Sequence, residues 1–142
     1  QVGRSLRLFV VDGSPFGEGE EGAPECKDFK RVMINPVLFE ESGEECDMEE
    51  GCLSIPGVRE PVTRPVSVKV EYFDADWVLR EEALTGIAAR IVQHENDHLD
   101  GVMLPDYVPP LRKAMLQGKL KDIAQGKVPA DYPMRYPGKS IR

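Results

Sequence analysis

The sequence predicts an α+β fold in which antiparallel strands pack around one central helix, with a C-terminal helix outside them. Residues 66–73 alternate apolar and polar side chains, and this period is typical of a half-buried antiparallel strand. Residues 84–98 carry apolar side chains three and four positions apart, which predicts an amphipathic helix. Residues 111–125 repeat the helical period more loosely because Gly118 interrupts it, and we expect the second helix there.

The chain ahead of the central helix is expected to consist of strands and loops. The apolar run in Leu6 to Asp12 predicts a buried strand, and the Gly, Pro and Glu content of Gly13 to Glu25 predicts a surface loop. Arg31 to Phe39 predicts a second strand that bends at its proline. We expect Glu40 to Asp47 to turn back and Met48 to Ile55 to extend again.

The central helix is expected to follow a hairpin. Asp74-Ala75-Asp76 is a tight connection into Trp77-Val78-Leu79, so the strand over residues 66–73 should pair with the segment after it. Thr85 is a plausible N-cap for the helix, and Gly101 is a plausible C-terminal stop. After the second helix, Val128 to Arg142 is expected to form an extended tail.

Length and composition predict a single catalytic domain over residues 1–142, with a C-terminal helix and tail over residues 111–142. A chain of 142 residues with 41% hydrophobic content can bury one core, and no apolar stretch approaches the length of a membrane span. No signal peptide is visible, and the three cysteines show no disulfide-framework spacing. We therefore expect a reducing, cytoplasmic setting and no membrane partner.

The strongest chemical signal is an HExxH pattern that uses both histidines of the chain. His94 and His98 are four residues apart, so on a helix the two imidazoles share one face and reach one metal ion. The apolar residues of the helix lead into both positions, so the imidazoles should point inward. Glu95 lies beside the metal, where a general base for a water molecule belongs. The pattern predicts a metal-binding helix, although HExxH also recurs by chance.

The third metal ligand is not evident downstream of the motif. One peptidase class has a third His where this chain has Leu104, and no Glu follows Glu95. Asp100 is too close on the helix to reach the same ion, and Asp106 and Asp122 fall in no ligand pattern. The third ligand must therefore lie upstream or be absent.

Upstream, the segment Glu49 to Gly57 contains a thiolate candidate, Cys52, between a glycine and a short apolar run. Together with the histidine motif, this segment resembles the peptide deformylases, whose second and third motifs read EGCLS and QHExDH. Both motifs are matched in full, as Glu50 to Ser54 and Gln93 to His98. Of the family's first motif, GxGLAAxQ, only the last residue is present, as Gln1, so the start of the domain is expected to be missing.

The resemblance implies a metal site and a reaction. Cys52, His94 and His98 would hold one divalent metal ion, iron(II) in the cell, with zinc, nickel or cobalt as substitutes. The substrate would be the N-formyl group on the initiator methionine of a new polypeptide, hydrolysed to formate. Glu95 would act as base and then as acid, and the Gln1 side-chain amide and the Leu53 backbone N–H would bind the developing oxyanion.

The resemblance also implies substrate contacts. Ile87, Ile91 and Met48 match positions of an apolar pocket for the methionine side chain, and ordinary core packing is the alternative for each. Arg59 matches a position near the bound peptide backbone, and an ordinary surface arginine is the alternative. The extended segment that includes Glu50 and Gly51 could bind the substrate peptide by edge addition.

Two other functions remain open from the residues alone. A zinc peptidase would use the same metal, water and Glu95, but would need an open cleft for internal peptide bonds. A non-enzymatic domain would use the metal as a structural staple, and would normally close the site with a fourth protein ligand.

Charge is distributed unevenly along the chain. Residues 111–142 contain eight of the eighteen Lys and Arg residues and only two acids, giving +6, so residues 1–110 must carry −13 for the net charge to be −7. We hypothesise that the C-terminal helix docks on the ribosome, where the substrate emerges, through its basic side chains Arg112, Lys113, Lys119 and Lys121. A merely solvated basic helix is the alternative.

Overall fold

The computed structural model describes residues 3–19 and 21–136. It has a four-stranded antiparallel sheet whose spatial order equals the chain order, and two α-helices. The elements are β1 (Leu8–Asp12), β2 (Lys30–Cys52), β3 (Ile55–Phe73), β4 (Leu79–Thr85), α1 (Gly86–Leu99) and α2 (Pro110–Ala124). Within the described ranges, neither helix has the length and hydropathy that a membrane span requires. The predicted α+β class and both predicted helices are confirmed.

Strand β2 corrects one expectation. The sequence predicts a turn back over Glu40 to Asp47, but β2 runs without interruption through 23 residues from Lys30 to Cys52. Three of its residues have positive φ: Asn35 at 50°, Glu40 at 47° and Gly43 at 34°. Such residues bend a strand locally while the ladder continues on either side. The polar, glycine-containing segment therefore marks bends within one strand.

The predicted hairpin between β3 and β4 is confirmed. The strands pair antiparallel from Ser67 opposite Thr85 to Phe73 opposite Leu79. The Asp74 carboxylate accepts hydrogen bonds from the backbone N–H groups of residues 76 and 78, which holds the turn in place. On β3, the side chains of residues 68, 70 and 72 are buried, as the alternation predicts.

The chain divides into two compact units, each with its own apolar core. The α1 unit comprises the described parts of Val2–Cys46 and Thr63–Val102, and the α2 unit comprises Asp47–Val62 and the described part of Met103–Arg142. In the α1 unit, helix α1 buries Ala88, Ala89 and Val92 against strand residues including Met33 and Val70. In the α2 unit, helix α2 contributes Leu116 and Ile123 to a core with Cys52, Ile55, Val58, Val62, Leu104 and Val108. The expectation of one catalytic domain over the whole chain stays a prediction.

Helix α1 begins with a cap that the sequence does not indicate. Thr85 occupies the N-cap position, as expected, but its side chain makes no capping hydrogen bond. Instead the Glu25 carboxylate accepts a hydrogen bond from the Ile87 backbone N–H at 2.9 Å. Gly86 has φ +57°, and a Cβ there would lie 2.1 Å from a Glu25 oxygen. The acidic loop thus supplies a negative charge at the positive end of the helix.

Helix α1 ends at Leu99, and a Schellman motif follows it with Gly101 as the left-handed residue. Gly101 has φ +77°, a conformation that side-chain-bearing residues rarely adopt. Its N–H donates to the His98 carbonyl at 3.2 Å, and the Val102 N–H donates to the Asp97 carbonyl at 2.9 Å. These two bonds satisfy carbonyls that the end of a helix leaves without partners. The predicted stop is confirmed, and the chain turns back at this point.

Alanine substitutions at Gly101, just after α1, and at Gly118, inside α2, should change the free energy of unfolding in opposite directions. At Gly101, Gly101→Ala should lower the free energy of unfolding by about 1 kcal/mol, because the left-handed backbone strains any Cβ. At Gly118, inside α2, Gly118→Ala should raise it by about 0.5–1 kcal/mol, because alanine favours helix. Neither new Cβ has a neighbour within 4 Å, so clashes do not confuse the comparison. Urea denaturation measures the free energy of unfolding of both variants. Changes of the same sign in the two variants would contradict the backbone conformations given to these glycines.

Candidate metal centre

Helix α1 brings the two histidines together on one face. The rings of His94 and His98 pack edge to face, with centroids 4.8 Å apart and planes at 85°. His94 is only 9% exposed, and His98 is partly buried. Glu95 follows His94 on the helix and is also partly buried. The structure therefore places the two imidazoles one turn apart on one face of α1, with the Glu95 carboxylate next to His94 in sequence.

The turn after α1 fixes the protonation of one ring. His98 Nδ1 lies 3.1 Å from the backbone carbonyl oxygen of Val102. A carbonyl oxygen only accepts hydrogen bonds, so Nδ1 must carry the proton and donate it. The lone pair of the neutral ring is then on Nε2, and a backbone partner of this kind is typical of metal-binding histidines. His98 is thus prepared as an Nε2 ligand.

Two partly buried polar contacts with β3, Gln93 to Pro65 and Arg64 to Asp97, fix the rotation of α1 about its axis. Gln93 Nε2 donates to the carbonyl oxygens of Pro65 at 3.0 Å and Ala89 at 3.1 Å. Arg64, with a side chain only 5% exposed, donates from Nη1 to Asp97 Oδ2 at 2.8 Å. In the sequence, Gln93 and Asp97 are recognisable only as members of the QHExDH motif, and nothing indicates a role for Arg64. These contacts hold the face that carries the histidines.

The apolar residues that precede the motif lie on the same helix. Ile87 and Ile91 are partly buried and pack against the core of the α1 unit. This packing agrees with the interpretation of Ile87 and Ile91 as core residues, and part of each side chain stays accessible. Their assignment to a substrate pocket stays a prediction.

In the α2 unit, Cys52 is a buried thiol at the end of β2. It is 8% exposed, lies in the core that α2 covers, and is not in a disulfide. The following residue, Leu53, exposes 73% of its surface in the short turn between β2 and β3. Its carbonyl oxygen accepts a hydrogen bond of 2.8 Å from the Tyr132 hydroxyl. The cysteine is therefore held by packing, and the next residue is held through its backbone.

Burial raises the pKa of two ionisable groups, the Cys26 thiol and the Tyr132 phenol. Burial, and then the charge of Glu25, raise the pKa of the Cys26 thiol, so this cysteine is a neutral core residue. The pKa of Tyr132 is raised first by burial and then by the negative charges of Cys52 and Asp131. The Tyr132 phenol therefore keeps its proton at neutral pH and acts as a donor.

The remaining predicted substrate residues of the α2 unit lie on or beside the end of β2. Glu50 is buried, Met48 is partly buried and Gly51 is exposed. Arg59 donates from Nη2 to the Glu49 carbonyl at 3.2 Å, and its Nη1 lies 3.3 Å from where a Cβ on Gly51 would be. Arg59 therefore covers the backbone at Gly51. The predicted oxyanion donor Gln1 lies outside the described residues.

Comparisons with known proteins identify the family. The sequence profile of the family described as "Polypeptide deformylase" matches residues 1–114. A "Peptide deformylase" of Cytophaga hutchinsonii is 46% identical over 137 residues, which covers 96% of this chain and 72% of the relative. A "Peptide deformylase" of Flavobacterium johnsoniae is 45% identical over 140 residues, covering 96% and 71%.

A solved structure agrees with the sequence matches. Crystals of peptide deformylase from Plasmodium falciparum gave a structure that superposes with a TM-score of 0.73 at 33% identity, covering 89% of this chain and 69% of that chain. Neither the zinc peptidase nor the structural-metal alternative finds support in these matches. The family implies a divalent metal, for which the histidine pair of α1 is suited. The chain belongs to the polypeptide deformylase family.

Proposed function

We propose that this chain removes the formyl group from formyl-methionyl peptides, releasing formate, and that Cys52, His94 and His98 hold one divalent metal ion for the reaction. Membership of the deformylase family supports the reaction and the substrate class. The two motifs that the chain shares with the family contain these three residues, Cys52 in the α2 unit and His94 and His98 in the α1 unit. The observation that carries the proposal is the His98 Nδ1 hydrogen bond to Val102, because it leaves Nε2 for the metal.

The donor set fits a catalytic metal site. One thiolate and two neutral imidazoles suit a borderline or soft divalent ion, and three protein ligands leave a position for water or substrate. When bound, such an ion activates water and polarises a carbonyl oxygen. The three ligands are on regular elements, the end of β2 and helix α1, so their positions do not depend on a flexible loop.

Glu95 has the proton-transfer role in this proposal. Its carboxylate accepts a proton from the attacking water as the water oxygen bonds to the formyl carbon. The carbon–nitrogen bond then breaks, and Glu95 returns the proton to the leaving amine. The Leu53 backbone N–H and the Gln1 side-chain amide donate to the formyl oxygen as it becomes negative. Formate and a free α-amine are the products.

Two groups of residues would bind the substrate, an apolar group for the methionine side chain and an extended backbone segment for the peptide chain. Ile87 and Ile91 present adjacent apolar side chains on α1, and Met48 adds a flexible apolar side chain suited to a methionine. Glu50 and Gly51 belong to the extended backbone that would pair with the peptide. Arg59, lying over that backbone, would fix its conformation or contact the peptide chain.

Iron(II) is our choice of native metal, with zinc, nickel or cobalt as substitutes. A thiolate donates more charge than a third imidazole would, so the ion is a milder Lewis acid and the site accepts softer metals. The thiolate also needs reducing surroundings, which supports a cytoplasmic location. Metal analysis of protein purified without oxygen distinguishes iron from its substitutes.

Substitutions should separate proton transfer from metal binding. Glu95→Ala should keep its metal and lose turnover by about 10²–10⁴-fold, because Glu95 moves protons and is not a ligand. Cys52→Ala should lose metal and activity together. Cys26→Ala is the matched control, since Cys26 is another buried thiol and should keep its metal. Metal content and formate release from formyl-Met-Ala measure both properties. Stoichiometric loss of metal from Glu95→Ala would refute its role.

The ribosome remains a proposed partner, and the internal contacts of α2 bear on which of its basic residues could dock there. Of the four basic residues on α2, Arg112 pairs with Glu60, Lys113 with Asp106, and Lys119 donates to the Gly57 carbonyl. These internal contacts engage much of the charge that the sequence offers for docking. Lys121 is exposed on α2 and is the best candidate for an external contact.

Charge reversal tests this docking without removing α2. Lys121→Glu should weaken ribosome binding at low salt by about fivefold and leave hydrolysis of short formyl peptides unchanged. Lys27→Glu makes the same charge change on the exposed loop of the α1 unit and should have no effect. Co-sedimentation with ribosomes over a salt series measures the binding. Equal binding by both variants would make the basic helix a solubilising surface.

A further inference from the structure

The chain beyond helix α2 folds back along a defined path. Gly126 has φ +70° and reverses the chain, and the Tyr136 ring lies 3.1 Å from where a Cβ on Gly126 would be. The Lys127 N–H donates to the Asp122 carbonyl at 2.9 Å. Val128 packs against the core that contains Cys52. The segment Gly126 to Tyr136, which we call the C-terminal strap, is therefore attached to α2 and to the core at its start, and Tyr136 packs back on Gly126.

Helix α2, which precedes the strap, is fixed near its start by an ion pair between Arg112 and the buried carboxylate of Glu60. Arg112 on α2 donates from Nη2 to Glu60 Oε1 at 2.8 Å and from Nε to both carboxylate oxygens at 3.0 Å. The Glu60 side chain is only 4% exposed, and leaving such a buried carboxylate without its partner is costly. Glu60 lies on β3, shortly after the turn that contains Leu53. Helix α2 is thus fastened to the strand that leaves this turn.

The strap reaches the turn through one side chain. The Tyr132 hydroxyl donates to the Leu53 carbonyl at 2.8 Å, across 79 residues of sequence. The Leu53 side chain is largely exposed, so packing of that side chain does little to hold the residue. Only two torsions separate the Leu53 N–H from its own carbonyl group. A bond that fixes the carbonyl therefore restricts the direction of the N–H.

We propose that Tyr132 is a positioning residue for deformylation: through the Leu53 carbonyl, it holds the Leu53 N–H in the direction that binds the formyl oxygen in the transition state. The inference rests on the proposed function, because it takes the Leu53 N–H as an oxyanion donor. It adds the C-terminal strap, which none of the sequence motifs includes, to the parts that set the rate. A hydrogen bond that only fastened the strap would leave the rate unchanged.

The test uses Tyr132→Phe in the full-length, metal-loaded protein, with Tyr136→Phe as the matched control. Both changes remove one hydroxyl from the strap and keep the ring, but the Tyr136 hydroxyl donates within the strap, to Met134 Sδ at 3.5 Å. Complete loss of an oxyanion donor costs about 10²–10³-fold, so a donor that is present but misdirected should cost about tenfold. Tyr132→Phe should therefore lower kcat about tenfold, with KM and metal content unchanged. Tyr136→Phe should match the unmodified protein.

Backbone amide exchange gives a second readout that does not depend on turnover. In Tyr132→Phe the Leu53 amide should exchange faster with solvent, whereas in Tyr136→Phe it should not. An unchanged kcat and an unchanged Leu53 amide would overturn the inference, as would a raised KM at constant kcat. If the unmodified, metal-loaded protein failed to deformylate formyl-Met-Ala, the proposed function would fail. The Leu53 amide would then still decide whether Tyr132 holds the turn.

Discussion

The geometry of the histidine pair depends on how helix α1 ends. Gly101 adopts a left-handed conformation, and the resulting Schellman motif reverses the chain so that the Val102 carbonyl faces His98. That carbonyl selects the tautomer in which Nε2 carries the lone pair. The backbone conformation of Gly101 therefore connects the fold to the tautomer of a proposed metal ligand, His98. Strand packing, the Gln93 contacts and the Arg64–Asp97 pair then fix the helix that carries this arrangement.

Local patterns in the sequence predict the local structure well. The alternation of residues 66–73, the helical period before His94 and the glycine at position 101 all correspond to observed features. The continuous path of β2 is the exception. The polar, glycine-containing composition of residues 40–47 predicts a turn, whereas the structure has a strand that bends at positive-φ residues. Composition does not reveal whether a neighbouring strand continues the ladder through such a bend.

The contacts that the sequence does not reveal join residues far apart in the chain. The Glu25 cap spans 62 residues, the Arg64–Asp97 pair spans 33, and the Tyr132 contact with Leu53 spans 79. Each uses a common polar residue with no distinctive neighbours, so no short motif indicates it. The charge of the C-terminal helix is a similar case. The number of its basic residues can be read from the sequence, but the acidic residues that pair with them cannot. Distant pairs of this kind become visible only once the fold is known.

The central claim is that one thiolate and two imidazoles bind the metal. X-ray absorption spectroscopy of the full-length protein loaded with zinc tests it most directly, because scattering by sulfur and by nitrogen differs. The account predicts one sulfur at about 2.3 Å and two imidazole nitrogens at about 2.0–2.1 Å, in the unmodified protein and equally in Cys26→Ala. A shell without sulfur in the unmodified protein, or loss of the sulfur in Cys26→Ala, would contradict it.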